Sequence, residues 1–216
     1  VSHRAYTQTD WMYSTPKGNP TMAIKSFITG AVALTLSTGL LAQAETPPEK
    51  PQPFKGVVQT IPGVVEAEHY DEGPAGLAYV DVDEKNHGVD YRGETQVDIE
   101  KRPDASNGHG IGWIREKEWV RYTVEVKEAG TYTLEIPVAS NKAGGTFHIA
   151  FDDVDVSGPI TIPDTGGWDK LKTLTIKDVT LKAGKQVMKL VMDKDGESGG
   201  IGDIDLVRFI TKADGK

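Results

Sequence analysis

The sequence contains no cysteine, which rules out a disulfide framework, thiolate metal ligands and a thiol nucleophile. It is also short of basic residues, with 24 Lys and Arg against 32 Asp and Glu. That balance argues against nucleic acid as a partner, whose affinity comes from neutralised phosphates. No apolar run is long enough to span a bilayer of about 30 Å comfortably; the best candidate, residues 27–41, is broken by Thr, Ser and Gly. Beyond residue 44 no stretch sustains a 3.6-residue apolar period for three turns, so no long helix is expected. There is no Gly-rich phosphate loop ahead of a helix and no G-x-S-x-G elbow. The five histidines, His3, His69, His87, His109 and His148, lack metal-ligand spacing.

Among what is present, Met22 to Ala44 reads as a secretory signal. Lys25 supplies the positive start, residues 27–41 the uncharged middle, and Ala42-Gln43-Ala44 the small-x-small cleavage pattern. Residues 1–21 precede it without apolar periodicity and are expected to lie outside the native product. The expected product is secreted, periplasmic or extracellular, begins at Glu45 and holds 21 basic against 31 acidic residues. It is one domain of ordinary size without stable membrane insertion. Residues 45–60, opened by E-T-P-P-E-K-P-Q-P, are expected to form an extended leader, residues 61–211 the folded domain and residues 212–216 a tail. An exported domain without disulfides must be held by its core or by a metal, and calcium prefers the oxygen ligands abundant here.

From Val57 onward short runs of period two alternate with turns. Tyr122-Val124-Val126, Tyr132-Leu134-Ile136-Val138 and Phe147-Ile149-Phe151 each place apolar residues on one face, and residues 171–176, 187–192 and 204–210 continue the pattern. Turns fall at Ala129-Gly130, Gly144-Gly145, Thr165-Gly166-Gly167, Ala183-Gly184 and Ser198-Gly199-Gly200. The prediction is an all-β, antiparallel two-sheet β-sandwich.

Two constellations could carry chemistry. Glu66 and Glu68 lie two apart, on one face of a strand, and Asp203 and Asp205 do the same near the C-terminus. If the first and last strands are neighbours, these carboxylates converge and a calcium ion offsets their repulsion. A solvated polar face, or a general acid and base for glycoside hydrolysis, are the competing readings. Trp168 and Tyr91 form the second constellation, as aromatics among turn residues. Each offers a flat apolar face to a sugar ring, or folds back as a lid on the core. Trp113 and Trp119 sit in strand-like runs and are assigned to packing.

Glu66-Ala67-Glu68-His69-Tyr70, Val89-Asp90-Tyr91-Arg92, Val97-Asp98-Ile99-Glu100, Gly112-Trp113-Ile114, Glu118-Trp119 with Tyr122, Ala129-Gly130-Thr131-Tyr132, Thr165-Gly166-Gly167-Trp168 and Asp203-Ile204-Asp205 occur in the order expected of a family 6 carbohydrate-binding module, which residues 62–210 resemble. The resemblance implies a calcium-containing β-jelly-roll that binds polysaccharide or oligosaccharide of plant or algal cell-wall type (xylan, β-glucan or agar) and catalyses nothing. It implies Glu66, Glu68 and Asp205 as ligands of a structural Ca2+. It further implies a sugar site at the loop end, with Tyr91 and Trp168 as its aromatics, Asp90 beside Tyr91, and Asp203 where the family carries an amide. An ionised carboxylate accepts hydrogen bonds but cannot donate, so affinity or sugar preference is expected to differ. Such modules usually ride on glycoside hydrolases, and a separate hydrolase partner is expected of a chain that reads as a monomeric lone module. A small hydrolase and a calcium-dependent adhesion module that binds protein stay open as alternatives.

Overall fold

The computed structural model describes residues 48–93 and 95–212. The predicted signal, the segment ahead of it and residues 213–216 of the tail lie outside them. Fourteen strands carry the fold: β1 Gln59–Ile61, β2 Gly63–Glu66, β3 Tyr79–Val80, β4 Ile99–Lys101, β5 His109–Ile111, β6 Trp119–Val126, β7 Gly130–Ser140, β8 Thr146–Phe151, β9 Val154–Asp155, β10 Ile160–Thr161, β11 Gly167–Leu181, β12 Gly184–Lys194, β13 Asp203–Ile204 and β14 Leu206–Thr211. One sheet runs β1-β6-β12-β8-β10 with β3 on β6 and β9 on β8; the other runs β2-β14-β7-β13-β5-β4 with β11 on β7. The predicted β-sandwich is therefore present. Its pairings are antiparallel except β1 on β6, which is parallel.

The alternation read from the sequence becomes burial. Along β7, Tyr132, Leu134, Ile136 and Val138 are buried while Thr133, Glu135 and Pro137 are partly exposed. In β6 and β12, Tyr122 lies opposite Met188 and Val120 opposite Leu190. All four join one core cluster fed by both sheets, together with Phe147, Ile149 and Phe209. Among the described residues no helix is long and apolar enough to cross a membrane.

The expected leader is a correction. Phe54 is buried, stacked on His69 with ring centroids 4.7 Å apart and lying under the Arg92 guanidinium at 4.2 Å. Gln52 and Glu72 exchange backbone hydrogen bonds of 2.9 and 2.7 Å, and Gln59 pairs with Val124. Residues 45–47 of the expected leader lie outside the described residues, but Phe54 has a groove to fill and β1 pairs with β6, so the domain begins ahead of residue 61.

An indole-lined cleft and a carboxylate cluster

The start of β11 and the turn after β5 present two indoles to one cleft. Ahead of β11, the Asp164 carboxylate accepts the Gly166 N–H at 2.8 Å, and the Thr165 hydroxyl oxygen accepts the Ser140 N–H at 2.9 Å. Local caps of this kind fix turns, and here they deliver Trp168 with 42% of its surface exposed. Trp113 follows β5 with φ of +51°, a conformation rare for a bulky side chain. The strained backbone turns the ring outward, 51% exposed, between the buried neighbours Ile111 and Ile114. Strain of this sort collects where a side chain must be aimed. The cleft between them has a volume of about 370 Å³ and is lined also by Glu100, Arg115, Gly200 and Asp203.

Beneath the floor lies Arg102, only 3% exposed. Its Nη1 donates to Glu100 Oε1 at 2.9 Å and to Asp203 Oδ2 at 2.8 Å. Nη2 donates to Asp104 Oδ2 at 3.0 Å and to the Trp168 carbonyl at 2.7 Å, and Nε to Asp104 Oδ1 at 3.2 Å. Burying a guanidinium is costly unless every N–H finds an acceptor, and here all five do. Burial and the charge of Glu100 together hold the Asp203 carboxyl above its usual range, outweighing the Arg102 contact. At Gly112 a Cβ would stand 2.8 Å from Glu100 Oε1 and 3.2 Å from Asp203 Oδ1, so only glycine lets the two carboxyl groups pack this close to the strand.

A second cluster gathers Glu66, Glu68 and Asp205. Glu66 ends β2 opposite Leu206 of β14, so the opening and closing strands of this sheet are neighbours as expected. Glu68 comes round not by the pleat of a strand but through the 3-10 turn Ala67–His69. The three carboxylates meet at residues 106 and 107. Ser106 Oγ donates to Glu66 Oε2 at 2.7 Å, the Ser106 N–H to Asp205 Oδ1 at 3.2 Å, and Asn107 Nδ2 to Glu68 Oε1. Glu68 is fully buried, its Oε2 has no hydrogen-bond partner, and desolvation, aided by Glu66 and Asp205, pushes its carboxyl up to about 7. An orphaned buried oxygen beside two further acids suits a cation. Among the described residues no group of three or more His, Asp or Glu side chains is placed to hold a metal ion by itself. An ion here would draw on these carboxylates and on main-chain oxygens.

Of the residues expected to hold sugar, Trp168 and Asp203 come together in the cleft. Tyr91 does not line it. Its hydroxyl pairs with His69 Nε2 at 2.9 Å, its ring lies 4.3 Å from that of His109, and it packs against the core. Asp90 is exposed beside it and also absent from the cleft. The assignment of Trp113 to packing is corrected by its exposure. Trp119 is half-buried, with Lys189 Nζ 4.8 Å from its ring centre. The sequence reading also missed Glu100, which lines the cleft with Asp203, and Arg102, which bonds both. The signal for Trp113 was Gly108, Gly110 and Gly112, three alternating glycines that weaken a packed-strand reading.

The family model for the carbohydrate binding module (family 6) matches residues 87–211. The chain is 30% identical over 87 residues to the clotting factor G alpha subunit of Tachypleus tridentatus, covering 39% of this chain and 13% of that protein. It is 24% identical over 123 residues to the β-agarase AgaA of Microbulbifer thermotolerans, covering 57% of this chain and 27% of that protein. The chain thus spans about a quarter or less of the curated relatives it matches. A β-1,3-glucan-binding CBM6 from Bacillus halodurans superposes with a TM-score of 0.53 at 22% identity, covering 71% of this chain and 98% of the other.

Proposed function

The chain belongs to the family 6 carbohydrate-binding modules, and from that premise we propose that it grips a polysaccharide or oligosaccharide segment between Trp113 and Trp168 without cleaving it. The observation that carries this reading is the pair of exposed indoles over a polar floor. Two apolar ring faces suit the C–H faces of a sugar, and the carboxylates accept its hydroxyl protons. Neutral glucans are the first ligands to test, because the solved relative from Bacillus halodurans is described as binding β-1,3-glucan.

The placement of the acids speaks against catalysis. Glycoside hydrolysis needs carboxyl groups flanking the scissile bond. Glu100 and Asp203 take their hydrogen bonds from the same nitrogen of Arg102, at 2.9 and 2.8 Å, which sets them side by side below the ligand. Titration calorimetry against laminari-, cello- and xylo-oligosaccharides tests the reading, and a reducing-end assay runs beside it. Absence of binding to every oligosaccharide, or release of reducing ends, overturns it.

Two further parts of the proposal rest on other ground. Glu66, Glu68 and Asp205 would hold a structural calcium ion, which when bound neutralises the mutual repulsion of these acids; the partnerless Glu68 Oε2 supports it. Export follows from the signal-like segment 22–44, and detection of the protein outside the cytoplasm, cleaved near Ala44, tests it.

A further inference from the structure

The second inference rests on the glycan reading of the cleft and concerns which sugars it takes. We propose that Glu100 and Asp203 make the cleft select cationic amino sugars, so that a glucosamine unit binds more tightly than a glucose unit of the same linkage.

Among the described residues Arg102 is the cation bonded beneath the floor, and its five N–H donors are spent on Glu100, Asp203, Asp104 and the Trp168 carbonyl. None is left to donate to a ligand, and one positive charge faces three carboxyl groups, of which Asp203 is held above its usual range by burial and by Glu100. At the rim Arg115 lies with its Nε 3.3 Å from Asp195 Oδ2, so that pair is neutral as a unit. The cleft and the groups bonded to it therefore carry two more acids than bases.

The two acids that touch the cleft differ in access. Asp203 is 5% and Glu100 22% exposed at the side chain, dry enough for charge to be felt and open enough for contact. The Asp203 carboxylate is bound to Arg102 through Oδ2 and Glu100 through Oε1, so Asp203 Oδ1 and Glu100 Oε2 are the oxygens without an Arg102 contact. Beside Glu100 and Asp203 no cationic donor is left for a ligand; Arg115, paired through Nε with Asp195, stands at the rim. An ammonium group brings three N–H donors and a charge, and the faces of Trp113 and Trp168 also attract cations. A uronate or sulfate ester brings the wrong sign.

The test is calorimetry with two ligands, cello-oligosaccharides and fully deacetylated chito-oligosaccharides of equal length. Both are β-1,4-linked and differ at carbon 2, a hydroxyl in one and an ammonium in the other. At low salt and pH 6 the amino ligand is expected to bind on the order of tenfold tighter, the scale of a partly buried charge pair, with the ratio shrinking in 0.5 M NaCl as screening grows. The double variant Glu100→Gln/Asp203→Asn should bring the ratio near one. Should it fail to fold, Glu100→Gln alone should shrink the ratio at least several-fold.

The whole chain carries a net charge of −8, so diffuse attraction must be separated from the cleft. Trp168→Ala leaves the charge intact and should lose the amino ligand as well; retained binding there overturns the inference. Equal affinity of the parent for both ligands, or a preference that survives in the variants, overturns it while leaving the glycan reading standing. Failure of the parent to bind any oligosaccharide defeats both.

Discussion

Replacing Trp113 with glycine separates a ligand contact from a core contact in one experiment. A packed indole cut back to nothing costs about 3 to 5 kcal/mol, which for a domain of this size lowers Tm by roughly 6 to 20 °C at 2 to 4 °C per kcal/mol. Trp113, however, is 51% exposed and held at φ +51°, where a non-glycine residue costs about 1 to 3 kcal/mol. Glycine relieves that strain, offset by about 1 kcal/mol of extra chain entropy in the unfolded state. The expected Tm is therefore within about 4 °C of the parent, or above it. The ring's contribution to sugar binding follows from about 50 Å² of covered apolar face at about 25 cal/mol per Å². That is on the order of 1 to 1.5 kcal/mol, or about tenfold in Kd. Calorimetry against soluble glucan oligosaccharides and a melting curve read the two numbers. A large fall in Tm with sugar affinity intact would refute the assignment and return Trp113 to the core.

Chelation by EDTA should lower Tm by about 5 to 10 °C if calcium at 100 times its Kd stabilises by about 2.7 kcal/mol, and an unaltered curve for the EDTA-treated parent counts against the site. Glu118, pushed up to about 8 by burial with help from Asp81 and Asp98, stays protonated in the fold at pH values where the unfolded chain has ionised. Its contribution to stability is full below about pH 4.5 and is lost as pH rises toward 8; Tm measured from pH 5 to 8 should fall by a few degrees, and Glu118→Gln should flatten that slope. Purified protein incubated with laminarin, xylan or agarose should release no reducing ends, and release that disappears in Asp203→Asn would show catalysis instead.

The strands were legible because β6, β7 and β8 each bury one face, and period-two alternation records that directly. What was hidden is what needs a distant partner. Composition predicts an extended run at 45–53, but nothing local states that Phe54 fits under Arg92 or that Gln59 lies parallel to Val124. The run 204–210 reads as one strand, whereas it divides at Asp205: Ile204 pairs with Val138, and the ladder between β14 and β7 resumes at Arg208 with Glu135. Asp203 and Asp205, two apart and expected on one face, serve separate clusters across that break.

The site was half legible for a related reason. Turn residues announce an exposed Trp168, but Trp113 is flanked by Ile111 and Ile114, which are buried, so the run does pack while one φ turns the ring out of it. Arg102 bonds Asp203 across 101 positions, a distance over which spacing carries no signal. That bond also answers what a carboxylate does where the family resemblance implies an amide. An amide at 203 could accept from Arg102 through its oxygen and turn an N–H toward the ligand. The carboxylate accepts from Arg102 equally well and, once ionised, turns a second acceptor toward the ligand. With every Arg102 donor already spent, Asp203 adds an acceptor where an amide would add a donor, and the proposed amino-sugar ligand is the one that would bring the donor itself.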